Sequence, residues 1–426
     1  MVGLCWVVLS VGVSGAALAN GTVIGTPGDR PASEARVRAV ASDEQAPATK
    51  PAVKQTESAV GAIHIDCRPL LPKGQYVDVF EAQLNLILNE YWRENGDWKA
   101  DMMNDATAFA PRLLFEIYAR TGNEVLYDRA IATCRYQMRL TRDVLAGKGH
   151  FDVNSVSGVN CLLASARYAK GEHERAASRD LLQSFLNVLG GALLFDVVPP
   201  SMPNLDECKS IGMPLVAATA LGLYQVHNET SLLVMARKLI AKHEREFLDH
   251  ETGLFGGKHF GSWNSAMGLA AYAEGYTVTR DSSYLQKANA LIKSLRRLHG
   301  TFAGVFFHDV SLDTKPNWGA NLSTAMIYIE ALWTLYESTG DEAYSSAAGR
   351  GIEFVVEEFT LSRAYPEGIH DQWFGNRKRV VPFFAHDIMV KDHEKRVSPS
   401  YCLGCNFNML DRIWDYNNDV GAAGRN

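Results

Sequence analysis

The stretch ALWTLYESTGDEAYSSAA, Ala331 to Ala348, joins the end of one apolar helix to the start of another through a short polar turn. Four further variants of this stretch occur in the chain, and each places a tyrosine just before the turn. These tyrosines are Tyr118, Tyr168, Tyr224, Tyr276 and Tyr336, at intervals of 50 to 60 residues. Such periods are typical of repeated helical hairpins, none of which can bury its apolar face alone.

The two helices that flank each turn differ in where their apolar residues lie. The helix before the quoted turn, 321–337, is apolar on nearly every face, which is typical of a helix buried on all sides. The helix after it, 342–359, has an apolar stripe opposite Arg350, Glu353 and Glu357, so one of its sides faces water. The contrast recurs, and the predicted inner helices are 105–119, 153–169, 207–225, 264–277, 320–338 and 401–416.

This alternation predicts the fold class. An outer helix follows each of the first five inner helices, and the helix 78–92 supplies the sixth outer member. Helices in two concentric layers of six form an all-α (α/α)6 toroid. A straight solenoid is the alternative, but it would need polar capping repeats, and neither end of the array has that character.

Composition and the N-terminus indicate the class of protein. The chain has 426 residues, of which 47% are hydrophobic and 21% charged, and a net charge of −6 without a long basic run disfavours a nucleic-acid partner. The apolar run 4–19 ends in Ala-Leu-Ala, which predicts a secretory signal peptide over 1–19; no Lys or Arg precedes the run, so an uncleaved anchor is the alternative. Residues 20–61 are rich in Ala, Pro, Thr and charge and predict a disordered linker before a toroid catalytic domain over 62–426.

We therefore expect a secreted or periplasmic protein with no stable membrane insertion after signal cleavage, and its oligomeric state stays open. Six cysteines remain after cleavage, and Cys134 and Cys161 lie inside apolar helical runs, where buried thiols are expected.

Function is expected on one rim of the toroid, defined here as the face at which the inner helices begin. The short repeat turns join inner to outer helices on the opposite face and serve the scaffold. Inner-helix N-termini point free N–H groups and positive dipole ends at the rim, which favours an anionic ligand. Aromatic and polar side chains on the longer connections there suit a carbohydrate, and we expect no cofactor. The candidate substrate-binding residues are Trp98, Asp105, His150, His259, Trp263, Asn264, His308, Trp318, His370, Trp373 and Arg377.

Several segments over roughly 150–420 resemble the six-hairpin glycosidase superfamily, nearest to the unsaturated glucuronyl hydrolases of glycoside hydrolase families 88 and 105. Asp206-Glu-Cys-Lys-Ser-Ile-Gly-Met-Pro-Leu is similar to the family's helix start, and His250-Glu-Thr-Gly-Leu-Phe-Gly-Gly resembles its next loop. Gly304-Val-Phe-Phe-His-Asp, followed by Asn321-Leu-Ser-Thr-Ala-Met, resembles a further loop and helix. The family's Arg-Gly-Gln-Ala-Trp signature is absent, and Gly261-Ser-Trp-Asn-Ser occupies its place.

The resemblance implies an enzyme that cleaves glycosidic bonds of a uronic-acid-containing oligo- or polysaccharide by carboxylate acid/base catalysis. Its candidates are Asp206 and Asp152, each at the start of an inner helix, with Glu207 as the alternative to Asp206. Asp is also a favoured N-cap, so a capping role competes with catalysis at both positions. A general acid must hold its proton, so burial or a neighbouring carboxylate should raise the pKa of Asp206.

Three other interpretations stay open. A polysaccharide lyase or an epimerase could use the same scaffold, with rim His, Tyr, Asn and Arg residues serving β-elimination. A non-catalytic sugar-binding toroid is the second. The third is a zinc site made of Asp206, Cys208, Cys402 and Cys405, although the Cys-x-x-Cys pair suits a disulfide equally well.

The segment 360–400 interrupts the repeat. Connections this long are usually functional or disordered, and this one is rich in aromatic residues. We expect it to fold over the rim and to offer Arg377 or Arg379 to an anionic ligand.

Overall fold

The computed structural model describes residues 63–99, 105–149, 151, 153–256, 261–299, 307–308, 318–391 and 394–419. The predicted signal peptide and linker lie outside these residues. At several helix and strand ends only the backbone is described. From Ile63 onward the chain is one compact unit.

The described part of the chain is built mainly from helices. In chain order they are α1 (Val77–Leu86), α2 (Asp105–Thr121), α3 (Glu124–Leu145), α4 (Val153–Gly158), α5 (Asn160–Tyr168), α6 (Glu172–Phe195), α7 (Lys209–His227), α8 (Thr230–Phe247), α9 (Gly261–Thr279), α10 (Ser282–His299), α11 (Leu322–Thr339), α12 (Glu342–Phe359), α13 (Leu361–Ala364) and α14 (Leu403–Asn418). The strands are β1 (Leu248–Asp249), β2 (Leu254–Phe255), β3 (Phe307–His308), β4 (Trp318–Asn321), β5 (Ile369–Asp371), β6 (Arg377–Arg379), β7 (Asp387–Lys391) and β8 (Glu394–Val397).

The inner helices close into a ring. Helix α2 packs between α14 and α5, α7 packs between α4–α5 and α9, and α11 packs between α9 and α14. Outer helices α3, α6, α8, α10 and α12 each pack on the inner helix that precedes them, and α1 contacts α14. The predicted (α/α)6 toroid is confirmed, including the place of α1 as the sixth outer helix.

The repeated tyrosines mark a recurrent chain reversal. In four of the hairpins the residue that ends the inner helix has a positive φ and donates its backbone N–H to the tyrosine carbonyl four residues earlier, as Gly340 does to Tyr336 at 2.7 Å. The next residue then caps the outer helix: Asp341 accepts a hydrogen bond from the Ala343 N–H at 2.9 Å. The same pairing occurs at Gly122, Asn228 and Arg280. The repeat is therefore scaffold, as the sequence predicted.

The long connections add strands that the helical repeat did not predict. The four strands β3, β4, β7 and β8 form one antiparallel sheet in that order, and β5 pairs with β6 as a hairpin. They come from the connections that enter α11 and α14, so they lie on the rim. The sheet joins these two entries, because β4 leads directly into α11 and pairs with β7 from the 360–400 segment.

Two further features bear on the expectations. Cys134 and Cys161 are buried free thiols, as predicted. Among the described helices, none combines the length and the apolar character needed to cross a membrane.

Candidate functional site

All inner helices run parallel, because an antiparallel outer helix separates each from the next. Their first residues therefore lie on one face, the rim. Asp206 lies in the single 3-10 turn that precedes α7, Trp263 and Asn264 lie in the first turn of α9, and Asn321 is the N-cap of α11. The structure thus brings residues from distant parts of the sequence to the same face of the ring.

Asp206 is held by an ion pair. Its Oδ1 lies 2.6 Å from the Lys209 ammonium, which also lies 2.9 Å from Oδ1 of Asp196 at the end of α6. Asp196 in turn binds Lys242 at 2.7 Å, whose ammonium also bonds to the Leu193 carbonyl at 2.8 Å. Hydrogen bonds to Asp206 and Asp196 raise the pKa of Lys209, so its ammonium stays charged. Asp206 is thus oriented by its ion pair with Lys209.

The ion pair changes the role expected for Asp206. A protonated carboxylic acid would lose the attraction of the Lys209 ammonium, and the Asp206 side chain is 60% exposed rather than desolvated. The geometry therefore suits an ionised carboxylate, that is a base or an electrostatic stabiliser. The expectation that Asp206 is a buried general acid does not fit this arrangement.

A second polar group lies where α11 begins. His386 Nδ1 is 2.7 Å from Oδ2 of Asp387, and Asn321 donates from Nδ2 to Oδ1 of the same carboxylate at 2.7 Å. Asn321 also caps α11, since its Oδ1 accepts the backbone N–H of Ser323 at 2.9 Å. A carboxylate bonded to Nδ1 orients an imidazole and leaves Nε2 for other partners. Nε2 of His386 has no hydrogen-bond partner among the described residues.

The first turn of α9 carries polar atoms without partners. Asn264 is 7% exposed, and its buried Oδ1 has no hydrogen-bond partner among the described residues. Trp263 is half-buried, and its Nε1 also lacks an acceptor. Gly256 (φ +78°) lies against Asn264, and a Cβ there would approach the Asn264 Nδ2 to 2.3 Å. Buried polar groups are normally satisfied, so these atoms are available to a ligand or to water.

The β5–β6 hairpin of the 360–400 segment is anchored by a buried carboxylate. Asp371 is 1% exposed and accepts hydrogen bonds from the Tyr401 hydroxyl at 3.0 Å and the Tyr91 hydroxyl at 3.3 Å. Burial raises the pKa of both tyrosines, which remain donors. Arg379 pairs with Glu90 and lies 3.5 Å from Asp371, so it is not available to an anionic ligand.

The other predicted residues of this hairpin divide by exposure. His370 and Arg377 are exposed, and the His370 Nδ1 lies 3.0 Å from the Asn376 carbonyl. Trp373 is half-buried and is fixed by its backbone N–H, which donates to Asp371 at 3.0 Å. Arg377 is therefore the hairpin cation that remains for a ligand.

Several predicted residues have no described side chain. Asp152, His150 and His259 lie outside the described residues. For Asp105, Glu207, His308 and Trp318 the structure describes the backbone alone. Their roles remain predictions.

Two expectations need correction. Trp98 is 1% exposed and packs edge-on against Trp92 and Phe407, so its ring offers no face to a sugar. The zinc set is not assembled either: Cys402 and Cys405 form a disulfide, and α7, which follows Cys208, lies across the ring from α14.

A cluster of charges occupies the axis of the ring, deeper than the rim. Arg112 on α2 binds Asp411 at 2.7 Å and Asp415 at 2.9 Å on α14, and Glu116 at 3.2 Å on its own helix. Arg412 binds the same oxygen of Asp411, Oδ2, at 2.6 Å. The three carboxylates offer oxygens within 4.8 Å of one another, which is a metal-like spacing. The Arg112 guanidinium already bonds to all of them, so we assign this axial cluster to structure.

Glu274 on α9 also faces the axis. Burial raises the pKa of this carboxyl to about 7, with Arg167 opposing the shift and Glu330 and Glu337 adding to it. The folded state therefore holds this proton more tightly than the unfolded chain, whose glutamate titrates near 4.5. Stability from this group is present below the unfolded pKa and is lost as the pH rises toward 7.

We predict that Glu274→Gln removes this pH dependence. Wild-type protein should lose on the order of 2 kcal/mol of unfolding free energy from this group between about pH 5 and pH 8, and the variant should not. Chemical denaturation at both pH values measures the difference. An identical pH dependence in the two proteins would show that Glu274 titrates as it does in the unfolded chain.

The sequence did not single out His386, Asp387 or Glu274 as functional. His386 and Asp387 are adjacent in a loop, and the partner that orients them, Asn321, comes from another connection. Glu274 is an isolated acid within an apolar inner helix, which is the one signal that could have identified it.

No protein-family model and no curated protein match the sequence. Solved structures match it at low identity. The GH76 alpha-1,6-mannanase from Salegentibacter sp. HEL1_6 superposes with a TM-score of 0.52 at 14% identity, over 80% of this chain and 98% of that one. Unsaturated glucuronyl hydrolase from Bacillus sp. GL1 superposes with a TM-score of 0.51 at 13% identity, over 74% of this chain and 86% of that one. A polysaccharide lyase superposes with a TM-score of 0.50 at 14% identity, over 80% of this chain and 96% of that one. The likeness confirms the toroid fold, which this chain shares with two hydrolases and a lyase.

Proposed function

We propose that this protein is a carbohydrate-active enzyme that hydrolyses glycosidic bonds of a uronic-acid-containing oligo- or polysaccharide on the rim. The observation that carries the proposal is the placement of Asp206, an oriented carboxylate at the start of an inner helix. An ionised carboxylate there can accept a proton from water or stabilise positive charge that develops on a sugar ring.

Two consecutive carboxylates support the choice of this position. The mannanase from Salegentibacter is inactive when two consecutive aspartates are replaced, and that variant was solved with alpha-1,6-mannotriose. This chain has Asp206 followed by Glu207 in the 3-10 turn that precedes α7. We assign the base role to Asp206, with Glu207 as the alternative to it and Asp152 as its candidate partner.

The charges on the rim favour an anionic sugar. Lys209 is held charged beside Asp206, Arg377 is exposed on the hairpin, and the inner helices direct their N-termini to this face. Lys209 is already paired with Asp206 and Asp196, so a uronic-acid carboxylate would pair with Arg377. A neutral sugar could accept hydrogen bonds from Arg377 but would lack the charge pairing.

A lyase is the second candidate, because the carboxylate-oriented His386 could act as a base on the proton next to a uronic acid group. Product analysis separates the two reactions. Purified protein should be incubated with saturated and unsaturated uronic oligosaccharides and with mannan oligosaccharides as the neutral control. We expect cleavage of the uronic substrates with one water gained per bond. New unsaturated products would indicate the lyase, and cleavage of mannan alone would refute the uronic specificity.

A further inference from the structure

The group formed by Asn321, Asp387 and His386 has the construction of a proton-transfer site. The Asp387 carboxylate is shared between the His386 Nδ1 and the Asn321 Nδ2, both at 2.7 Å. Because Asn321 also caps α11, the carboxylate is fixed to the start of an inner helix. The imidazole is thus oriented from the scaffold rather than from a free loop.

The backbone of His386 is fixed as well. Its N–H donates to the Ser400 carbonyl at 2.9 Å, and its carbonyl accepts the Leu322 N–H at 2.9 Å. The side chains of His386 and Asp387 are 21% and 23% exposed, so solvent reaches the pair although its geometry is rigid. A residue whose role is only to stabilise the fold would not need an accessible imidazole.

The axial cluster is a weaker candidate for transferring a proton to a substrate. Its carboxylates Asp411, Asp415 and Glu116 are bonded to Arg112. The cluster atoms without a hydrogen-bond partner among the described residues, Asp411 Oδ1 and Arg412 Nε, belong to buried side chains below the rim. Glu274 is unpaired but lies deep in the ring, away from the rim where the helices begin. The His386 group is also the one that stands on the same face as Asp206.

The geometry points to His386 as the residue that passes a proton to the glycosidic oxygen, with Asp387 and Asn321 as its positioning residues; this rests on the proposed hydrolase function. In the imidazolium form, whose Nδ1–H bonds to Asp387, His386 donates its Nε2 proton to the leaving oxygen as the C1–O bond breaks. The bonding electron pair stays on that oxygen, and His386 becomes a neutral imidazole. Water adds to C1 and gives its proton to the Asp206 carboxylate. Solvent then returns a proton to His386 and takes one from Asp206, so the net change is addition of one water.

Leaving-group dependence tests this role. His386→Gln should lower kcat on a uronic oligosaccharide by on the order of 10² to 10⁴-fold, because a sugar alkoxide leaves poorly without a proton. The same variant should keep most of its kcat on para-nitrophenyl glucuronide, whose phenolate leaves without protonation. Asp387→Asn should give a smaller loss with the same dependence, since the imidazole remains but is less well oriented.

His173→Gln is the control, because His173 is exposed in the first turn of outer helix α6, on the face opposite the rim. It should retain wild-type kcat on both probes. The inference is overturned, and the proposed function is not, if folded His386→Gln loses kcat equally on both probes or keeps full kcat on both. If His386→Gln does not fold, either of these results in Asp387→Asn overturns the inference. Wild-type protein that cleaves neither probe overturns the proposed function, and the inference with it.

Discussion

Asp206→Asn should lower turnover of a uronic oligosaccharide by on the order of 10³-fold or more while the protein stays folded. Asparagine keeps the shape of the side chain but cannot accept a proton or carry the charge that Lys209 orients. The side chain is 60% exposed and its ion pair with Lys209 is near the surface, so stability should change little. Steady-state kinetics together with thermal unfolding measure both effects.

Asp196→Asn is the matched control for this prediction. Asp196 pairs with the same Lys209 ammonium, at 2.9 Å, but lies at the end of outer helix α6. Its loss should leave turnover within a few-fold of wild type. Glu207→Gln tests the neighbouring carboxylate. If Glu207→Gln is inactive and Asp206→Asn is active, the roles must be exchanged; if Asp206→Asn only lowers the unfolding temperature, Asp206 is a structural residue.

Arg112→Ala should destabilise the fold by about 3 kcal/mol or more, the largest stability effect that we expect. Three carboxylates from two inner helices share this guanidinium, and Asp411 is 4% exposed. Removing the cation leaves buried like charges that water cannot fully solvate. The loss should be smaller at acidic pH, because protonation removes the repulsion among them.

Arg120→Ala is the control on the same helix. Arg120 is exposed and bonds to Asn418 while its guanidinium lies 4.9 Å from the Trp414 ring. Its removal should cost about 1 kcal/mol or less. Urea denaturation of both variants at neutral and acidic pH makes the comparison. If the two variants lose the same unfolding free energy, the axial cluster is solvated and stabilises the fold no more than a surface ion pair does.

The fold was predictable because its signal is repeated. Tyr224, Tyr276 and Tyr336 each precede a turn whose first residue takes a positive φ and whose next residue caps an outer helix. One turn alone would have been ambiguous, but the tyrosine recurs before five turns, four of which have this geometry, and the repeat predicts a ring of hairpins. The short strands were not predictable, since β4 and β7 pair only after the ring has brought their connections together.

The site was less predictable because its contacts cross the ring. Trp98 resembles an exposed loop residue in the sequence, yet Phe407 on the last inner helix covers it. His386 has no recognisable motif, and the carboxylate that orients it is tied to a residue of another connection. Asp206 was identified by its helix start, but its ion pair with Lys209 changes the role expected for it. Local sequence patterns predict the helical scaffold. They do not predict the ionic state of a side chain, because that state depends on its neighbours in space.

Digestion of a uronic oligosaccharide in heavy-oxygen water, followed by mass spectrometry, tests most directly whether this protein hydrolyses glycosidic bonds on the rim. We expect wild-type protein to release products that carry one heavy oxygen per cleaved bond, and Asp206→Asn to release none above background. Cleavage without heavy oxygen, with unsaturated products, would contradict hydrolysis, and equal incorporation by both proteins would contradict the assignment of the reaction to Asp206.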